Sequence, residues 1–203
     1  KKRSLEQLVE LTKRFYVTKK LEKLQKDLME QAKEQETLAN KSEEENTKEK
    51  QDVLNKDFEE FKRQLDELEK ENKELRKPIE IPRDRLEENE VVDEQKTASE
   101  ELKKREDIEN KSQDKENLTN AKKSQKKAAQ KMMKMSQGMQ QAMQMSGGDQ
   151  MQEDVDILHQ ILDNLLLFSF DQEALMKEFM VIDVDHNKYA AYLRKQSGLR
   201  EHF

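Results

Sequence analysis

Cysteine and tryptophan are absent from this chain of 203 residues, which also has only two prolines and four glycines. The lack of cysteine excludes disulfides, thiol catalysis and cysteine-ligated zinc, and it leaves the compartment open. No apolar run approaches the ~18 to 20 residues that span a bilayer, and the N-terminus lacks the pattern of a signal peptide. Charged residues make up 41% and apolar residues 33%, a composition close to that of long-helix proteins.

Both prolines lie within residues 76–84, where they interrupt a pattern that is otherwise helical. Proline removes a backbone donor and disfavours helical geometry at the residue before it, so a helix that reaches Leu75 must end and a second one must begin. We therefore predict an all-α protein built on a long antiparallel coiled-coil hairpin. The predicted hairpin tip is formed by Pro78, Ile79, Ile81 and Pro82.

Two arms flank this tip, the first over residues 1–77 and the second over residues 85–146, with residues 78–84 between them. Steps of three and four residues, typical of a coiled-coil seam, join Leu54, Phe58, Phe61, Leu65, Leu68, Asn72 and Leu75. Similar steps join Leu118, Ala121, Gln125, Ala128, Met132, Met135, Met139 and Ala142. A buried Asn72 would specify register, whereas beside a turn it could be exposed. Residues 40–52 are polar and interrupt the first seam.

The composition changes after Ser146, where Gly147 and Gly148 predict the end of the second arm and Asp149 can cap the next helix. Residues 155–170 are the most apolar part of the chain, too broad for one narrow seam, so we expect them to pack on several neighbours. Asp171 can cap a further helix. We predict that residues 149–203 form a helical segment that packs on the open end of the hairpin.

Two stretches resemble a known family. Residues 122–133, with the Met/Gln run to Met145, and above all residues 157–173, with the sequence ILHQILDNLLLFSFDQE, are similar to the central part of large bacterial envelope proteins of unknown function. Members are rich in coiled coil and anchored in the inner membrane by N-terminal helices. The resemblance implies a periplasm-facing structural or assembly role and supplies no catalytic residues. Because the chain begins without methionine, we expect a fragment of a larger protein.

A methionine-rich helix forms the first candidate binding surface, with Met132, Met133, Met135, Met139, Met143 and Met145. Thioethers can bind Cu(I), and a flexible methionine face can bind varied hydrophobic clients. The alternative is that Met132, Met135 and Met139 are seam residues of the coiled coil. The candidate partner-binding face is Met132, Met135, Met139 and Met143.

A run without acidic residues, from Thr119 to Gly147, carries six lysines. They are Lys122, Lys123, Lys126, Lys127, Lys131 and Lys134. Such a basic face can bind anionic lipid or nucleic acid. Alternatively, the lysines pair with Glu30, Glu34, Glu36 and the 43–45 cluster on the opposite arm, and the lack of interleaved aromatics favours this pairing.

No catalytic or cofactor motif occurs in the sequence. Asp183 to Asn187 resembles the start of a calcium loop, but Lys188 and Arg194 stand where glycine and glutamate are required. His159 fits the edge of a core better than a metal site. We predict no enzyme activity, no metal and no cofactor. The function predicted first is a scaffold that positions partner proteins, followed by a holdase-like module using the methionine face and by binding through the lysine run.

Overall fold

The computed structural model describes residues 2–106, 111–181 and 188–202. All secondary structure within these residues is helical, with no strand, which confirms the predicted all-α class. The helices in this part of the chain are α1 (Lys2–Asn40), α2 (Lys48–Lys73), α3 (Arg85–Glu106), α4 (Lys111–Met180) and α5 (Tyr189–His202). The chain forms two compact units, one of residues 16–146 and the other of residues 1–15 with 147–203.

The unit of residues 16–146 is a four-helix bundle made by α1, α2, α3 and the first half of α4. Contacts at 2.7 to 2.9 Å fix the order of its helices: Lys20 with Glu71, Asp52 with Ser99, Glu94 with Lys127, and Gln25 with Ser136. Along a pair of neighbouring helices the contacting residue numbers rise on one helix as they fall on the other, as in Lys20–Glu71 and Gln35–Gln51, so sequence neighbours run antiparallel and α4 lies beside α1. The bundle is therefore of the up-and-down type.

The predicted continuous arms are not confirmed, because the chain reverses more often than expected. The first arm is divided at residues 41–47, after which α2 runs back along α1. The second arm is divided between α3 and α4, and the centre of that connection, residues 107–110, lies outside the described residues. The polar stretch that interrupts the first seam contains the turn of residues 41–47, which offers no apolar side chain to a core.

Apolar stripes from all four helices meet in one core. The predicted seam of α2 is buried from Phe58 to Asn72, and the rings of Phe58 and Phe61 stack with their centroids 5.8 Å apart. Burial of each large side chain is worth about 1.5–3 kcal/mol, so this stripe is the main contribution of α2 to stability. Other fully buried members of the core are Leu21, Leu28, Leu65, Leu68, Val91 and Met132.

A polar layer crosses this core, with one glutamine from each helix: Gln35, Gln51, Gln95 and Gln125, none more than 2% exposed. Gln35 and Gln51 exchange hydrogen bonds of 2.8 and 3.0 Å, and Gln95 donates to Gln35 at 3.0 Å. Gln125 donates to Gln51 at 2.9 Å and exchanges two bonds of 2.8 Å with the buried Asn46. Because buried amides need partners, this layer is satisfied in one alignment of the four helices.

The connection between α2 and α3 contains the residues of the predicted hairpin tip. Asn72 is buried and donates to the Ile79 carbonyl at 2.8 Å, while the Ile79 N–H donates to the Asn72 side chain at 2.9 Å. Ile79 and Ile81 pack on the core, Pro82 is half-buried, and Pro78 is exposed. The asparagine thus holds the connecting segment, and it is neither exposed nor paired across the seam.

Arg83 anchors the same connection electrostatically. Its side chain is buried and contacts Glu88 at 2.6 Å, Asp66 at 2.5 Å and Glu69 at 3.1 Å. Hydrogen bonds to Glu88 and Asp66 raise the pKa of Arg83, and the bond from Arg83 lowers the pKa of Asp66. Asp84 follows and caps α3, accepting hydrogen bonds from two backbone N–H groups at 2.9 and 3.1 Å.

The predicted helix break at residues 146–149 is wrong, because α4 runs without interruption from Lys111 to Met180. Asp149 and Asp171 therefore lie inside a helix and do not cap one. Each glycine costs a helix only about 1 kcal/mol relative to alanine, and methionine and glutamine, which favour helices, surround this pair. No glycine in the described ranges has the positive φ that a glycine helix terminus uses.

Candidate interaction surface

The apolar run of residues 155–170 lies on α4 in the unit of residues 1–15 and 147–203. Contrary to the expectation that it packs on several neighbours, most of its large side chains are exposed, with Leu162 at 62% and Phe170 at 57%. The other exposed members are Val155, Leu158, Leu165, Leu166 and Leu167. A helix that is apolar on most sides requires more covering partners than this unit supplies.

The exposed side chains form a stripe along α4. Val155, Leu158, Leu162 and Leu165 follow one another at steps of three, four and three residues, which places them on one face of the helix. Met176 and Met180, also exposed, lie further along the same face. We call this set the α4 stripe. Its spacing is that of the seam between two packed helices.

The side of α4 that adjoins the stripe is covered within its own unit. Ile161 and Leu175 are buried. Arg14 on α1 has a buried side chain that contacts Asp154 at 2.8 Å. The ring of Phe179 packs edge-on against Tyr189 and Tyr192 of α5, with centroids 5.4 and 5.9 Å apart. These contacts fix which face of α4 is turned inward and leave the α4 stripe outward.

The methionines of the predicted partner-binding face point into the bundle. Met132, Met135 and Met139 are buried, and Met143 is partly buried against the same core. This is the placement expected of seam residues, the alternative that the spacing also supported. In this structure, the face that was proposed for clients is occupied by the other three helices.

The lysines of the predicted basic face contact partners on α3 and in the connection after α1. Three form ion pairs: Lys127 with Glu94, Lys131 with Glu90 and Lys134 with Glu87. These acids lie on α3, whereas the predicted partners lay on α1, because α3 runs antiparallel beside α4. The hydrogen bond to Glu87 raises the pKa of Lys134. Lys122 donates to the Lys41 carbonyl at 2.7 Å, and Lys123 and Lys126 are exposed.

Metal and membrane sites can be assessed only for the described ranges. In them, no group of three or more histidine or acidic side chains could hold a metal ion, and no helix has both the length and the hydropathy for crossing a bilayer. His159 is exposed, although a core-edge position was predicted. The calcium-like stretch from Asp183 to Asn187 lies outside the described residues.

Sequence reasoning identified the 155–170 run but not its exposure, which depends on what the rest of the chain places beside α4. The chain matches no protein-family model, no curated protein and no solved structure with which it was compared. The resemblance to bacterial envelope proteins stays a prediction based on residues 122–145 and 157–173.

Proposed function

We propose that this chain is a non-enzymatic helical scaffold of a cell-envelope protein, which positions a partner protein through the α4 stripe. The observation that carries the proposal is the exposure of this stripe on a helix whose adjoining side is covered. The envelope location rests on the sequence resemblance. In its finer architecture, we propose that α2 and α3 pack as an antiparallel coiled-coil hairpin closed by residues 78–84.

Covering the exposed apolar side chains of α4 with a partner would lower the free energy. A contiguous apolar patch on a soluble protein typically marks a binding surface, because its contact with water is unfavourable. Covering the exposed half of a leucine side chain stabilises a complex by roughly 1 kcal/mol. Covering the six exposed residues of the α4 stripe would therefore stabilise a complex by several kcal/mol before the cost of association.

A synthetic helical peptide can test this docking surface on the full chain. The probe carries leucine at its seam positions and glutamine elsewhere. Because it has no charged side chain, its binding depends on apolar contacts and not on ion pairs. We expect it to bind the protein and to lose at least tenfold in affinity when Leu162→Glu places a charge in the stripe. Fluorescence anisotropy measures the dissociation constant, and circular dichroism checks that helicity is retained.

Gln160→Glu is the matched control, because it adds the same charge at an exposed position on the far side of the stripe. It is expected to leave the affinity unchanged. A peptide that does not bind, or that binds equally to both variants, would contradict the proposed docking surface.

The same exposure favours a second candidate, a holdase that holds unfolded hydrophobic segments on residues 155–170. A holdase binds extended clients as well as helical ones, whereas a scaffold requires a folded partner. An assay of the aggregation of a heat-denatured client enzyme, in the presence of this protein, distinguishes the two functions. A holdase suppresses it and loses that effect in Leu162→Glu, while a scaffold leaves it unchanged.

A further inference from the structure

The methionines of this chain differ widely in exposure. Met132, Met135 and Met139 are at most 8% exposed and lie in the core of the bundle. Met176 and Met180, on the α4 stripe, are 54% and 75% exposed. Oxidation of a thioether requires contact between its sulfur and the oxidant, so an oxidant in solution reaches the methionines of the stripe before those of the core.

Met176 and Met180 form one end of the α4 stripe. They lie four residues apart, and at ~100° per residue they project in line with Leu158 and Leu162. The other four members of the stripe have valine or leucine side chains, which contain no sulfur and resist mild oxidants. Oxidation of the stripe is therefore confined to this end.

Resting on the proposed function, we propose that Met176 and Met180 are modification sites for a peroxide, and that their oxidation to methionine sulfoxide releases the partner from the α4 stripe. With hydrogen peroxide, a lone pair of the thioether sulfur attacks one oxygen, and the S–O bond forms as the O–O bond breaks. The proton on the transferred oxygen passes to the departing hydroxide, which leaves as water. Sulfur loses two electrons and the peroxide gains them.

The sulfoxide changes the docked state more than the free state. It places a strong hydrogen-bond acceptor where an apolar thioether stood. In the free chain water solvates this oxygen, since both side chains are exposed. Under an apolar partner helix the same oxygen loses its hydrogen bonds, which is unfavourable. Because the methionines of the bundle core are enclosed, mild oxidation leaves the bundle folded.

Peptide mapping by mass spectrometry, on the full chain treated with hydrogen peroxide, measures the oxidation of each methionine. We expect Met176 and Met180 to react about tenfold faster than Met132, Met135 and Met139, which react only when the core opens locally. Equal rates in the two groups would overturn the proposal.

The neutral leucine-seam peptide serves as the probe, lengthened to cover the roughly 38 Å between Val155 and Met180. At saturation it should slow the oxidation of Met176 and Met180. It should not slow that of Met145, which is 87% exposed and lies outside the stripe. Absence of protection at Met176 and Met180 would place both methionines outside the docking surface and overturn the proposal.

Oxidation of both methionines should weaken the binding of this peptide about tenfold, measured by fluorescence anisotropy with helicity checked by circular dichroism. Methionine sulfoxide reductases remove the added oxygen and should restore the affinity. An unchanged affinity after both sulfoxides have formed would overturn the proposal and leave the docking surface intact. A peptide that does not bind before oxidation would instead contradict the proposed function.

Met176→Leu with Met180→Leu separates these two residues from other oxidation products. Leucine keeps the surface apolar, so this variant should bind the peptide as the unaltered protein does, and peroxide should no longer weaken binding. Met145→Leu is the matched control and should keep the full sensitivity to peroxide. If the double variant still loses affinity in peroxide, or if the control becomes insensitive, the effect comes from other residues and the proposal is overturned.

Discussion

The bundle of residues 16–146 and the α4 stripe in the other unit differ in how far their side chains are exposed. In the bundle, Phe58 is 0% exposed, and even glutamines are enclosed. On α4, Leu162 of the stripe is 62% exposed and the nearby Phe170 is 57% exposed, although residues 155–170 are the most apolar part of the chain. Burial here follows the number of covering helices and not the hydropathy of the segment.

The comparison extends to charged groups. The bundle encloses Arg83 with Glu88 beside the connection between α2 and α3, whereas the carboxylates near the stripe, Asp156 and Asp163, are exposed. Enclosed charges fix one arrangement of their own chain, since they must find partners within it. The enclosed ion pair of Arg83 and the glutamine layer of the bundle are therefore paired within their own chain, while the apolar side chains of the stripe are exposed.

Replacement of phenylalanine in each region gives the largest expected difference. Phe58→Ala should lower the free energy of unfolding by about 3–5 kcal/mol, because it removes a fully buried ring and leaves a cavity beside Phe61. Phe170→Ala should change it by less than about 0.5 kcal/mol, since that ring is mostly in water. Urea denaturation followed by circular dichroism measures both. Similar losses for the two variants would contradict the contrast in burial.

Arg83→Met should cost about 3 kcal/mol, because it leaves Glu88 as a buried carboxylate without its guanidinium partner. The control is Arg85→Met, whose exposed side chain contacts Asp66 and Glu69 at the same connection. Exposed pairs of this kind contribute about 0–1 kcal/mol. If the double variant Arg83→Met with Glu88→Leu regains stability, the loss in Arg83→Met comes from the unpaired buried carboxylate of Glu88. A persistent loss would assign it to packing.

Gln125→Leu should cost about 1–3 kcal/mol, since it leaves Asn46 and Gln51 short of hydrogen-bond partners inside the core. Gln130→Leu, at an exposed position of the same helix, should change stability by less than about 0.5 kcal/mol. Replacing all four glutamines of the layer together with Asn46 by leucine should restore or raise stability while the helices lose their single alignment. Broadened amide spectra would reveal that loss, and sharp native spectra would contradict it.

Sequence periodicity predicted the helices better than it predicted their arrangement. The seam from Leu54 to Leu75 located α2, and the two prolines located its end, because helix geometry and proline chemistry are local. The reversal at residues 41–47 was missed, since a polar stretch is compatible with both an exposed helix and a turn. Gly147 and Gly148 led to a wrong prediction of a helix end, because the free-energy cost of two glycines in a helix is small compared with that of breaking a long helix.

The candidate surface was predictable in composition but not in exposure. The 155–170 run was conspicuous, yet whether Leu162 is covered depends on residues far away in the chain. The glutamine layer had a visible signal in Gln35 and Gln125, which occupy seam positions, but Gln51 and Gln95 were not recognised. One amide at a seam does not reveal which other amides it will meet.

Acid should weaken the bundle through the connection between α2 and α3, and this is the smallest effect expected. The hydrogen bond from Arg83 lowers the pKa of Asp66 below its ordinary value of 3.8, so the folded state binds the proton less readily than the unfolded state. The stabilisation is therefore complete above the ordinary pKa and is lost as the pH falls through the lowered one.

Because Asp66 is half exposed, its contribution should stay below about 1 kcal/mol. Between pH 6 and pH 2 the urea midpoint should fall less steeply in Asp66→Asn than in the unaltered protein. The two slopes should differ only below about pH 4. Asp93→Asn, a change of the same charge at a position on α3, is the control and should leave the slope unchanged. A difference in stability between the two proteins that persists at pH 2, where the carboxylate is largely protonated, would mean that Asp66 acts through packing.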